Sequence, residues 1–199
     1  RLNEDTQLII DQLIEDAARC GIELNITILS FADTIQRIYS GDFELILFVA
    51  IAWPDGYSME ALIQSLWFHF ADYAFCNTHD PEITTMIEEL SDLYYLYGDL
   101  EGAVEIFHEI EWMMYDREPH ATMCYHEFNG MMYNHHLLMN NAEDSPFNEI
   151  AIRKALSFLI DRELYAEKMS AFYGVPVNVS SSMFGWTPFH DTTIPEFDF

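Results

Sequence analysis

The sequence predicts an α/β fold, with a mixed sheet of about four or five strands flanked by helices. Three observations predict it. Apolar residues recur at helical spacing in several stretches, the first of them Leu8, Ile9, Leu13, Ile14 and Ala17. Two other stretches have strand character: the alternation Ile22, Leu24, Ile26, Ile28, and the nearly all-apolar run Phe43 to Ala52. The two kinds of segment alternate along the chain, the arrangement that lays helices over a sheet.

Taken in order, residues 3–20 form a helix that Gly21 stops. Ile22 to Leu29 is a strand with one buried face. Phe31 to Tyr39 is a short helix, turned by Ser40-Gly41-Asp42. Phe43 to Ala52 is a central strand covered on both faces, broken by Trp53-Pro54-Asp55-Gly56. Helical spacing resumes over 58–70. Asp80 caps a long helix with Pro81 in its first position, and Gly98 ends it after Tyr97. Asp99 caps the next helix, which runs to about Tyr115. Residues 120–140 supply two extended segments. Ser145-Pro146 opens one more helix, and Asp161-Arg162-Glu163 opens another that runs to about Phe172. From Tyr173 the chain is punctuated by Gly, Pro and Ser and reads as irregular. There is no internal repeat, and the 199 residues suit a single domain, 1–199.

Composition excludes several functions. Half the residues are hydrophobic and 15% are aromatic, which argues against disorder. No apolar run approaches the ~18 residues of a membrane-spanning helix. Two lysines (Lys154 and Lys168) and six arginines oppose 34 acids, for a net charge of −26. Such a field repels nucleic acid and anionic membrane surfaces and attracts cations. Cys20, Cys76 and Cys124 are an odd set without C-x-x-C spacing, so they read as small core residues.

The stretch Ile152-Arg153-Lys154-Ala155-Leu156-Ser157-Phe158-Leu159-Ile160-Asp161-Arg162, with Pro146-Phe147 upstream, resembles the V-R-x-A-L-S-x-A-I-D-R signature of one family. That family is the oligopeptide, dipeptide and nickel type of substrate-binding protein that serves ABC importers. Residues 136–191 resemble the start of the family's second lobe. Residues 7–135 resemble its later part, through Gly21-Ile22, Gly41-Asp42-Phe43 and the block Asn77 to Glu89. The chain therefore looks like a circularly permuted second lobe, joined near Tyr133 to His136. The resemblance implies a periplasmic-binding-protein-like lobe that captures a peptide or similar small solute outside the cell. Its partners would be a complementary first lobe and a membrane permease. No leader is visible at Arg1, so an exported form would carry one absent from this chain.

Open α/β sheets place ligands at the carboxyl ends of their strands. That puts Trp53, Asp55 and Tyr57 at the expected binding face, with Phe184 and Trp186 from the irregular Tyr173 to Trp186 loop nearby. Asp55 also suits a plain turn former between Pro54 and Gly56. Cys124, His126, His135 and His136 are weak candidates for holding nickel, copper or zinc, at a spacing that matches no recognised metal signature. Arg153, Asp161 and Arg162 read as structural ion pairs locking helices to the sheet. Glu109 and Glu111 read as a solvated helix face. The run Ser180-Ser181-Ser182 lacks an ordered partner, and no nucleophile, Walker or dinucleotide motif occurs. The expectation is a non-catalytic solute binder without a cofactor. The alternatives are a scaffold or interaction module with the lobe's fold, natural or engineered, and a Cys/His metal-binding module.

Overall fold

The computed structural model describes residues 4–19, 21–52, 58–70, 80–117, 120–128, 131–180, 182, 184–185 and 187–195. Its α-helices are α1 (Glu4–Arg19), α2 (Phe31–Ser40), α3 (Met59–Phe70), α4 (Pro81–Asp92), α5 (Leu100–Arg117), α6 (Ile150–Leu159) and α7 (Arg162–Tyr173). Its strands are β1 (Leu45–Ala52), β2 (His120–Phe128), β3 (Met131–Met139) and the short β4 (Asn178–Val179). A single π turn, Leu93–Tyr97, extends α4, and a 3₁₀ turn, Pro146–Asn148, precedes α6.

Local chemistry sets most of these boundaries. The Asp80 carboxylate accepts the N–H groups of Glu82 and Ile83 at the start of α4, where Pro81 has no N–H to lose. The Asp161 carboxylate accepts the Leu164 N–H at the start of α7. The Ser30 hydroxyl accepts the Asp33 N–H at the start of α2. Gly41, Gly98 and Gly174 end their helices at φ of 67°, 65° and 69°, a conformation that strains a residue with a side chain.

The sheet order is β1-β3-β2-β4, and every pairing is antiparallel. Leu45 lies opposite Met139 and Ala52 opposite Met132, while β2 and β3 form a hairpin bulged between Thr122 and Cys124. Side chains alternate along β3. Leu137 and Met139 enter a core with Phe147, Leu156, Ile160, Tyr165, Ala166 and Met169, supplied by α6, α7 and the turn before them. Leu138 faces the other way, onto Ile38 of α2. A separate core joins α3, α4 and α5 through Leu62, Leu66, Ile87, Leu90, Phe107 and Ile110.

Arg153 ties α5 to α6 and the turn before it. The residue is 6% exposed. Its guanidinium donates to the Arg117 carbonyl at 2.7 and 3.1 Å, and to the Phe147 and Asn148 carbonyls at 2.6 and 2.8 Å. The C-terminus of α5 thereby gains a cation where its own carbonyls lack partners. Arg162, 2% exposed, donates to the Ser157 carbonyl at 2.7 Å. Both arginines hold backbone carbonyls at helix ends, bonds that tie these elements together.

This fold corrects the expected architecture. A mixed sheet of four or five strands in a periplasmic-binding-protein-like lobe is not what forms. The described residues are dominated by helix, and three long antiparallel strands carry the sheet, with only two residues in β4. The expected strand Ile22 to Leu29 makes no ladder, and its outward residues Ile26 and Ile28 are 44% and 65% exposed. Without it β1 has no parallel neighbour among the described residues. That strand stands at an edge of the sheet, whereas its apolar run predicts a central place.

Candidate functional site

Helix α1 carries a carboxylate on its buried face. Asp16 follows Leu13 by one turn and precedes the fully buried Ala17, so helical periodicity turns it inward. It is 4% exposed. One oxygen, Oδ1, accepts from Gln12 Nε2 at 2.9 Å and from Arg19 Nη1 at 3.1 Å. The other, Oδ2, is buried and has no hydrogen-bond partner among the described residues. A cavity of about 210 Å³ opens between α1 and α7, lined by Gln12, Leu13, Asp16, Ile160, Asp161, Leu164, Tyr165 and Lys168. Its wall is mainly apolar. At its rim the Lys168 ammonium lies 3.3 Å from Glu167.

A second polar cluster lies on α5. Glu111 is 3% exposed, not solvated as the sequence suggested. It stands one turn after Phe107 and beside Ile110, within the stripe that packs on α4. Its Oε1 meets His190 Nδ1 at 2.7 Å and accepts from the Ser182 hydroxyl at 3.0 Å, while Oε2 accepts the Asp191 N–H at 2.8 Å. Nearby, Trp112 Nε1 donates to Asp191 at 2.8 Å, and His108 Nε2 meets the Phe189 carbonyl at 2.8 Å. Hydrogen bonds from the Thr193 hydroxyl and N–H, joined by Trp112 and His108, hold the Asp191 carboxyl below its usual range.

The cluster has a serine, a histidine and an acid, but in the wrong order for nucleophilic catalysis. In a triad the base stands between the nucleophile and the acid. Here Ser182 donates directly to Glu111 and the imidazole meets the same oxygen, so the described bonds do not interpose the imidazole between the hydroxyl and the acid. Glu111 fastens the C-terminal segment to α5. Ser182 therefore has an ordered partner, contrary to the expectation for its run.

Of the residues expected at the binding face, Trp53, Asp55, Tyr57 and Trp186 lie outside the described residues, as do Cys20 and Cys76. Phe184 is 1% exposed and packs edge-on against Phe107, ring centroids 5.3 Å apart, so it belongs to the helical core. His135 and His136 are both buried, and as neighbours in β3 they face opposite sides of the sheet. His135 Nδ1 meets the Tyr165 hydroxyl at 3.0 Å. Cys124 and His126 lie on β2, with Cys124 in register with His135, and their side chains are outside the described residues. The four cannot all converge on one ion, because the two β3 imidazoles diverge. Among the described residues no group of three or more His, Cys, Asp or Glu is placed to hold a metal.

Sequence reasoning missed Asp16 and Glu111, and the same signal would have found both. Each is an acid at one-turn spacing from residues of its helix's apolar stripe. No family model, curated protein or solved structure matches this chain.

Proposed function

We propose that this chain captures a small, peptide-like solute reversibly and without chemical change. The α1–α7 cavity carries this reading: it is concave, mostly apolar and furnished with a few polar groups, the usual make-up of a small-ligand site. At about 210 Å³ it falls below the ~300–1,000 Å³ of drug-sized pockets, which favours a solute near the size of one amino acid. The resemblance of residues 146–162 to the importer signature supports a place in solute uptake outside the cell, with a membrane permease as partner. Nothing in this reading requires a cofactor.

Thermal unfolding against a panel of amino acids, dipeptides and longer peptides tests it. A ligand at ~100 times its Kd adds about 2.7 kcal/mol to stability, which shifts the melt visibly. One or more of the smallest panel members should raise the melting temperature. A melt that none of them moves removes the proposal.

A further inference from the structure

We infer that the junction of α4 and α5 is a docking face for a short basic segment of a partner protein, one with arginine or lysine spaced among apolar residues. The face stands apart from the α1–α7 cavity and does not depend on it. Three observations carry the inference. First, four large apolar side chains lie open where α4 passes into α5: Tyr95, Leu96, Tyr97 and Leu100 are 52%, 69%, 74% and 47% exposed. Contiguous exposure of this kind marks an interaction site, whereas single exposed apolar residues do not. Second, the backbone puts Tyr97 in water. Ile83, Ile87 and Leu90, with the partly buried Tyr94, form the stripe that α4 lays in the core. Tyr97 stands at the next position of that stripe for an α-helix. The π turn Leu93–Tyr97 is wound more loosely, and it carries Tyr97 off the stripe. Gly98, at φ of 65°, then turns the chain, and the Asp99 carboxylate accepts the Gly102 N–H to start α5.

Third, charge selects the occupant. Glu88, Glu89 and Asp92 near the end of α4, and Asp99 and Glu101 at the start of α5, are all exposed. Glu60 of α3 is close too: partial burial and then the Glu60 carboxylate raise the Tyr95 phenol above its usual range. Between Arg37 and Arg117 the sequence has 16 acids and no lysine or arginine. Arg117 stands at the far end of α5, paired with Asp80 and Glu82. A second copy of the chain would bring its own acids against these and is repelled, as are nucleic acid and an anionic membrane surface. A basic segment gains from the same surroundings. Its guanidinium or ammonium groups lie over the tyrosine rings and pair with the carboxylates around them, while its apolar residues cover Leu96 and Leu100. Four side chains are few against the roughly 20–30 residues that each partner brings to a standard interface, which suits a short linear segment and not a folded domain.

The test is fluorescence anisotropy of a labelled, end-capped hexapeptide of alternating arginine and leucine, titrated with the full chain at about 0.15 M salt. Binding should saturate at one peptide per chain. The double variant Leu96→Ser, Tyr97→Ser should weaken it at least about tenfold, as loss of two anchors at the centre of an interface does. Both positions are exposed, so the double variant keeps its fold. Phe31→Ser, at an apolar residue equally open elsewhere, should leave binding within about twofold. A peptide with glutamine for arginine, and another with serine for leucine, should each bind at least about tenfold more weakly. Full-strength binding by the double variant overturns the inference and assigns the peptide to the general acidic field. Equal binding of either control peptide overturns it as well, and so does no binding of the arginine–leucine peptide at up to about 1 mM. Sedimentation of the chain alone covers the remaining occupant: a dimer that the double variant dissolves gives the face to a second copy and overturns the inference.

Discussion

Glu111 shows what one buried acid does when all its partners come from one segment. Ser182, His190 and the Asp191 N–H converge on it from a stretch that, among the described residues, has only β4 as regular structure. The hydrophobic anchor of that stretch is Phe184, which α5 also receives, through Phe107. Polar and apolar attachments thus reinforce each other on a single helix face. Glu111→Ala removes the acceptor and strands three donors in a buried place, a cost of about 3 kcal/mol. Glu111→Gln keeps an acceptor oxygen and should cost about half as much. Urea midpoints at constant slope measure both. A loss under about 0.5 kcal/mol for the alanine variant shows that the segment is held by Phe184 and its apolar neighbours alone. The sequence concealed Glu111 because an acid with an acidic neighbour at Glu109 reads as solvated, and only the phase of Phe107, Ile110 and Met114 says otherwise.

At the scale of elements, what was legible was local. Asp80 with Pro81, Gly98, Asp99, Ser145 with Pro146, and Asp161 act within one turn of themselves, and the helices they bound form near where the sequence places them. Strand partnership is not local. Alternation over Ile22 to Ile28 says that one face is apolar, not that a neighbouring strand is there to receive it. The β2–β3 hairpin is joined by a short connection, and β1 pairs with β3, so the sheet closes its ladders antiparallel without residues 22–29. Ile22 and Leu24 are partly covered, whereas Ile26 and Ile28 face water. Ile28→Thr is therefore expected to change stability by no more than about 0.5 kcal/mol, as at other exposed positions. Leu66→Ala, in the α3–α5 core at 0% exposure, is the contrast and should cost about 2–5 kcal/mol. Denaturant unfolding of the pair decides the matter. A cost above about 1.5 kcal/mol at Ile28 means that this segment is packed as a strand after all and that β1 has a neighbour on its open side.

Over the whole molecule the dominant quantity is charge. The 34 acids against eight basic residues give −26. Arg117 pairs with Asp80 and Glu82, Arg19 with Glu15 and Asp16, and Arg153 is buried on three carbonyl groups. With 34 acids and eight basic residues, most acids have no cation of their own. A compact state holds such like charges closer than an unfolded chain does, so repulsion lowers folding stability. Screening should restore it. The Debye length falls from about 30 Å at 0.01 M salt to about 3 Å at 1 M, shorter than the spacing of most surface carboxylates. The melting temperature should therefore rise by at least about 4 °C between those limits, equivalent to roughly 1–2 kcal/mol for a domain of this size. Salt also weakens the exposed ion pairs, but pairs such as Arg19–Glu15 are individually worth less than about 1 kcal/mol, so the repulsive term wins. Sucrose, which strengthens burial without screening, separates the two causes. In chains with Asp or Glu changed to Asn or Gln at exposed sites such as Glu88, Glu89 and Glu105, the salt response should shrink while the sucrose response stays. An unaltered chain whose melt ignores salt carries its acids already neutralised, and the repulsive field argued from its composition is then absent.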